Sequence, residues 1–288
     1  MQSLETKMTR YFLNTGLLEH NRWPRGNPSF KVSDWLQRIL DAGFDGIELW
    51  ENHILQANTE ERRQLAQWNH PIIFNQYDTC LPQDQEQRRV IDEVIQELGC
   101  VGMKWNGAFT NMELRDDCLS IAKSWLQNYP PPFRSLCECH GRTVFEDILP
   151  FIKDTANWQY PPEVILQLPG NPEKPLPDLT QLFDLGRERI TYIHLQMVEA
   201  NAIDDCRSCL RDREKLVTER IHQLIHLGYQ GDWCIKFTGG CSKGVNPPIE
   251  TLFANACDDL KLVKEALKTA GTAQANENRK DKEVPHHD

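Results

Sequence analysis

The chain has 288 residues, 40% of them hydrophobic and 26% charged, and a formal net charge of −10. That length holds one large α/β barrel as readily as two ordinary domains, and no apolar run approaches the roughly 20 residues of a membrane span. The acidic balance argues against a nucleic-acid groove, which relies on a concentrated positive surface.

The first eight residues lack an apolar core ahead of a small-residue cleavage site, which points to a cytoplasmic protein. Ten cysteines spread over such a chain read as reduced thiols. The pairs Cys137/Cys139 and Cys206/Cys209 lack a second pair spaced for a zinc ribbon, so packed or solvated thiols are the simpler reading.

Residues 11–16 form a short apolar run ending in turn residues, a strand with a polar and aromatic loop after it. Ser33 or Asp34 can cap the helix that follows, and Gly43 stops it. Residues 44–50 are the second strand and 71–75 the third. An amphipathic helix spans 85–98, halts at Gly99, and leads into a fourth strand at 100–105. A helix at 111–126, a fifth strand at 133–139, a helix at 144–155 and a sixth strand at 163–168 continue the alternation. The loop 169–177 is proline-rich and too rigid to be helical. A short helix at 178–185 precedes the seventh strand, 190–195; a helix at 211–227 precedes the eighth, within 228–237; and a helix at 249–267 closes the pattern. Residues 1–270 are read as one domain and 271–288, polar and aperiodic, as a disordered tail.

Eight strands, each followed by a helix, predict a (β/α)8 TIM barrel. A doubly wound open sheet would want a Gly-x-Gly-x-x-Gly turn after an early strand, and that motif is absent. In such a barrel the C-terminal strand ends carry the chemistry. They supply Glu48 and His53, Asn75, Lys104 and Trp105, Glu138 and His140, Gln167 and Asn171, His194 and Gln196, and Lys236. Trp50, Trp105 and Phe237 could line an apolar wall or simply pack. The glycine-rich stretch 238–244, with Lys243, could hold an anion or be a plain turn.

Four segments, residues 42–50, 137–141, 193–195 and 228–231, resemble in order those of the xylose isomerase-like TIM barrels, the sugar isomerases and epimerases. The resemblance spans roughly residues 11–268. It implies a divalent metal, manganese, magnesium, cobalt or zinc, held at the barrel mouth by two glutamates, an aspartate and a histidine. Such a cation orients a diol or carbonyl and stabilises an enolate. Glu138 matches the first glutamate and His194 the histidine. Leu168 and Asn171 stand where the family has Asp-x-x-His, and Lys236 replaces the second glutamate, so the cage lacks two ligands and the protein could hold no metal.

The expected function is an isomerase or epimerase acting on a small polyhydroxylated or carbonyl compound. Glu138 and Lys236 are its catalytic residues, and Glu48, His53, His140, Asn171 and Trp105 its substrate contacts. The alternative is a non-catalytic barrel that binds a metabolite or a partner. A metal-dependent endonuclease would need a histidine- and aspartate-rich multi-metal site and a basic rim, which the sequence does not offer.

Overall fold

The computed structural model describes residues 9–19, 26–76, 79–109, 112–139, 141, 143–170, 178–199, 206–242 and 244–280. Eight parallel strands close into a barrel: β1 (Tyr11–Asn14), β2 (Gly46–Trp50), β3 (Ile72–Asn75), β4 (Gly102–Trp105), β5 (Arg134–Glu138), β6 (Glu163–Gly170) and β7 (Ile190–Val198), with β9 (Asp232–Ile235) closing against β1. A two-residue strand, β8 (Arg207–Ser208), pairs antiparallel with the end of β7. Strands β6 and β7 run on past the expected Leu168 and Leu195.

Short helices Glu51–Leu55 and Thr59–Ala66, absent from the sequence-based alternation, fill the β2–β3 crossover. Asn58 caps the second by accepting from Glu61 N at 2.9 Å. The helix Gln85–Leu98 stops where expected, because Gly99 takes φ +61, a conformation costly for residues with a Cβ. The last helix runs from Ile249 to Lys280, past the expected end at residue 267. Among the described residues no helix is long and apolar enough to cross a membrane.

Side-chain alternation sorts the strands into two apolar layers. The larger lies between barrel and helices. The smaller, Phe12, Ile73, Leu136, Ile165, Tyr192 and Cys234, fills the middle of the barrel. Below it, where the strands begin, Arg134 donates to Glu163 at 2.7 Å and also reaches Asp232, which takes a second pair from Arg10 at 2.8 Å. Gly102 is required beside this cluster, since a Cβ there would stand 2.8 Å from the Arg134 carbonyl oxygen.

Candidate active site

Above the middle layer, each of the eight barrel strands sends one polar side chain inward. They are Asn14, Glu48, Asn75, Lys104, Glu138, Gln167 and His194, with Lys236 one residue past β9. Hydrogen bonds and ion pairs join all eight into one ring.

Glu48 is fully buried and accepts from Asn14 Nδ2 and Asn75 Nδ2, each at 2.8 Å, through Oε1. Its Oε2 lies 2.7 Å from His194 Nε2, and the other imidazole nitrogen, Nδ1, lies 3.3 Å from Glu138 Oε1. Glu138 is the hub. Lys104 Nζ sits 2.8 Å from its Oε2, Gln167 Nε2 donates to Oε1 at 2.7 Å, and Lys236 Nζ donates to the same oxygen. Gln196 donates to Gln167 at 2.6 Å and in turn accepts from Arg207.

Burial by itself would raise the Glu138 carboxyl, but Lys104, Lys236 and His194 outweigh it and hold the group well below the usual carboxylate range. At Glu48, burial again pushes up while His194 and Lys104 pull down, and the net is a lowered value. Burial, with Lys104 as a like-charged neighbour, lowers Lys236 below its ordinary value even though Glu138 opposes this.

The two lysines differ in their partners. Lys104 directs its ammonium to Glu138, to Asn106 Oδ1 at 2.7 Å and to the Gln76 carbonyl at 3.4 Å, which uses all three protons. Lys236 has one hydrogen-bond acceptor among the described residues, Glu138, and its side chain keeps 9% exposure against 4% for Lys104.

Several residues named from sequence fall elsewhere. Leu168, which the resemblance sets at the family's aspartate position, packs outward against the helices, and the inward residue of β6 is Gln167. Trp105 also faces outward because Lys104 takes the inward position. Its indole N–H donates to Ser135 at 2.9 Å, and its ring packs on Phe145 and Phe151. It is fully buried in the core between barrel and helices. His53 sits beside the ring in a relay of its own: Nδ1 is 3.0 Å from Thr15 Oγ1, Nε2 is 3.0 Å from Glu19 Oε2, and Trp50 N donates to the threonine. His53 also lines a cavity of about 430 Å³ with Phe30 and Glu61. Thr238 donates to Asp259 at 2.5 Å, and its hydroxyl serves the fold there. His140, Asn171 and Lys243 lie outside the described residues.

The ring also bears on whether a metal fits. The family position at Glu138 does not suit a divalent cation, since both carboxylate oxygens already carry an ammonium and the neighbouring ligand positions hold an amide and a lysine. Deeper in the barrel, Glu48, His194 and Cys234 place possible ligand atoms within 4.8 Å of one another, the one such group among the described residues. These donor types are ones zinc accepts. Burial, followed by Glu48, pushes the Cys234 thiol well above its ordinary value and keeps it protonated.

No protein-family model matches the sequence, and no curated protein does. Solved structures do match in fold. A xylose isomerase-like TIM barrel/4-hydroxyphenylpyruvate dioxygenase fusion protein is 16% identical, with a TM-score of 0.62 over 94% of this chain; the chain spans 44% of that protein's length. The IolI protein with a bound zinc atom is 13% identical, with a TM-score of 0.59 over 91% of this chain and 98% of that one. A xylose isomerase domain containing protein from Salmonella typhimurium LT2 is 13% identical, with a TM-score of 0.63 over 90% of this chain and 97% of that one. The chain has the fold of the xylose isomerase-like TIM barrels.

Proposed function

We propose that the protein is an isomerase- or epimerase-type enzyme that moves a proton beside the carbonyl of a small polyhydroxylated compound at the C-terminal mouth of the barrel. The observation carrying this reading is the ring itself: two carboxylates, two lysines and an imidazole are buried together at strand ends. Burying that many ionisable groups is costly, and such groups with shifted proton affinities cluster where chemistry is done.

In this reading Lys236 turns an unused N–H toward the substrate oxygen and stabilises the negative charge that grows there as the neighbouring C–H is broken. Glu138 is a weak base while it carries both lysines. When Lys236 shifts toward the substrate oxygen, the carboxylate loses one of its two cations and its proton affinity rises, which suits it to take the proton and return it. His194, itself held by Glu48, positions Glu138, and the amides of Asn75 and Gln167 offer the neutral donors that hydroxyl groups need. The substrate is a small molecule; neither a membrane nor a nucleic acid is called for.

The test is solvent exchange. The protein is incubated in D2O with a panel of ketoses, aldoses and cyclic polyol ketones, and deuterium entering the position beside the carbonyl is followed by NMR. Incorporation that disappears in Glu138→Gln is expected. A panel compound that binds by thermal shift but gains no deuterium would instead favour a barrel that binds a metabolite without turning it over.

A further inference from the structure

We infer that Lys104 and Lys236 together are the built-in cation of this barrel: they take up the charge position that the xylose isomerase-like fold otherwise gives to a divalent metal, and Glu138 is a lysine-held carboxylate rather than a metal ligand. The inference concerns the same ring as the proposed function and draws on that reading only for where a substrate would bind.

The surroundings of Glu138 are crowded with donors. An ionised carboxylate offers about four lone-pair directions, two on each oxygen; Lys236, Gln167 and His194 crowd Oε1, and Lys104 approaches Oε2. A metal at Oε2 would share that oxygen with the Lys104 ammonium, and one at Oε1 would have to displace a group already there. The displaced group would then be a buried ammonium, amide or imidazole facing a divalent ion at close range, in a barrel interior where water screens little.

The replacements act together rather than singly. The inward position of β6 is a neutral amide, the position after β9 is a cation, and the inward position of β4 adds a second cation to the same carboxylate. Removing an acidic ligand lowers metal affinity by itself; placing two ammonium groups on the remaining acid removes the reason for a cation to bind there. The lysines are also held, Lys104 by three acceptors and Lys236 by the carboxylate below it. Because both ammonium groups are covalently part of the chain, the charge does not dissociate and is indifferent to chelators, even where Lys236 changes partner.

The experiment uses the full-length protein, stripped with EDTA and titrated calorimetrically with Mn2+, Co2+ and Zn2+, with elemental analysis of the protein as purified. The wild type is expected to show no stoichiometric metal that depends on Glu138, and its Tm should not change on chelation. The double variant Gln167→Asp with Lys236→Glu, which places two acidic groups beside Glu138 and His194, should gain one stoichiometric equivalent that the wild type lacks. One equivalent bound by the wild type and lost in Glu138→Gln would overturn the inference. Metal that survives Glu138→Gln but is lost in Cys234→Ser belongs to the deeper group and leaves the lysine pairing of Glu138 standing. Should the double variant fail to fold, the wild type against Glu138→Gln still decides. None of these readouts involves turnover, so failure here and failure of the proposed reaction are separately visible.

Discussion

The barrel carries a cluster of buried charges at each end, and the two are built on different principles. At the N-terminal end, Arg134 and Arg10 meet Glu163 and Asp232 through rigid guanidinium forks, and Thr191 fills the remaining directions. At the C-terminal end the cations are lysines on flexible stems, the carboxylates share an imidazole, and one ammonium has protons to spare. The six-residue apolar layer separates them. A fork that is fully engaged locks strands together, whereas an ammonium with spare donors can exchange partners. The lower cluster is therefore a fastening and the upper one a place where chemistry can happen.

Breaking each cluster should give different signatures. Arg134→Met leaves Glu163 and Asp232 with buried, poorly compensated charge. We expect a loss of about 3–5 kcal/mol in urea unfolding, with the activity of the molecules that stay folded little changed. Glu138→Gln strands two buried ammonium groups and should also cost stability, but its distinguishing effect is on chemistry. Solvent exchange into substrate should fall about 10²–10³-fold, the scale on which one positioned polar group acts in a transition state, while the far-UV circular dichroism spectrum stays native.

A buried carboxylate outside both clusters calibrates them. Asp259 is held by the Thr238 hydroxyl and the Leu210 N–H, neutral donors, and burial pushes it up to about 6. The folded protein therefore keeps a proton that the unfolded chain has lost between about pH 3.9 and 6. Stability should fall as pH rises through that window, by about 2–3 kcal/mol in all, and level off above it. Asp259→Asn should remove this slope from a series of denaturation curves, and a slope that persists in the variant would place its origin elsewhere. The smallest effect is expected from Arg10→Ala. Its side chain is 29% exposed and Asp232 keeps Arg134, so a loss of about 1 kcal/mol should appear in the same unfolding experiment.

Much of the architecture is legible in the chain because the barrel is made of local repeats. Strand, glycine stop and amphipathic helix recur, and each is set by neighbours in sequence. The helices at 51–66 escape that reading because they are short and Thr59–Ala66 is rich in charge. Most of the ring is legible too. Glu48, Asn75, Lys104, Glu138, Gln167, His194 and Lys236 stand out as polar groups at strand ends, and all seven belong to the ring; Asn14 does not stand out in that way.

Choosing between adjacent candidates is where motif matching fails. Trp105 and Leu168 look plausible by residue type or by alignment, but the period of two sends Lys104 and Gln167 inward and their neighbours out. The parity of each strand, counted from the inner apolar residue two positions earlier, gives the correct choice: Ile165 to Gln167, Leu136 to Glu138, Phe12 to Asn14. Asn14 is readable by that count and by no other signal in the sequence. That Lys104 and Lys236 reach the same carboxylate depends on barrel closure, which no local pattern contains.

The pair between Arg10 and Asp232 has a kinetic meaning as well. The two residues are 222 positions apart and sit at the seam where β1 meets β9. Closing so long a loop costs conformational entropy, so we expect this contact to form late, after strands nearer in sequence have paired. On that expectation the pair is a latch set late in folding. Weakening it should leave the folding rate nearly unchanged and speed unfolding, so that the lifetime of the closed barrel is governed at its seam.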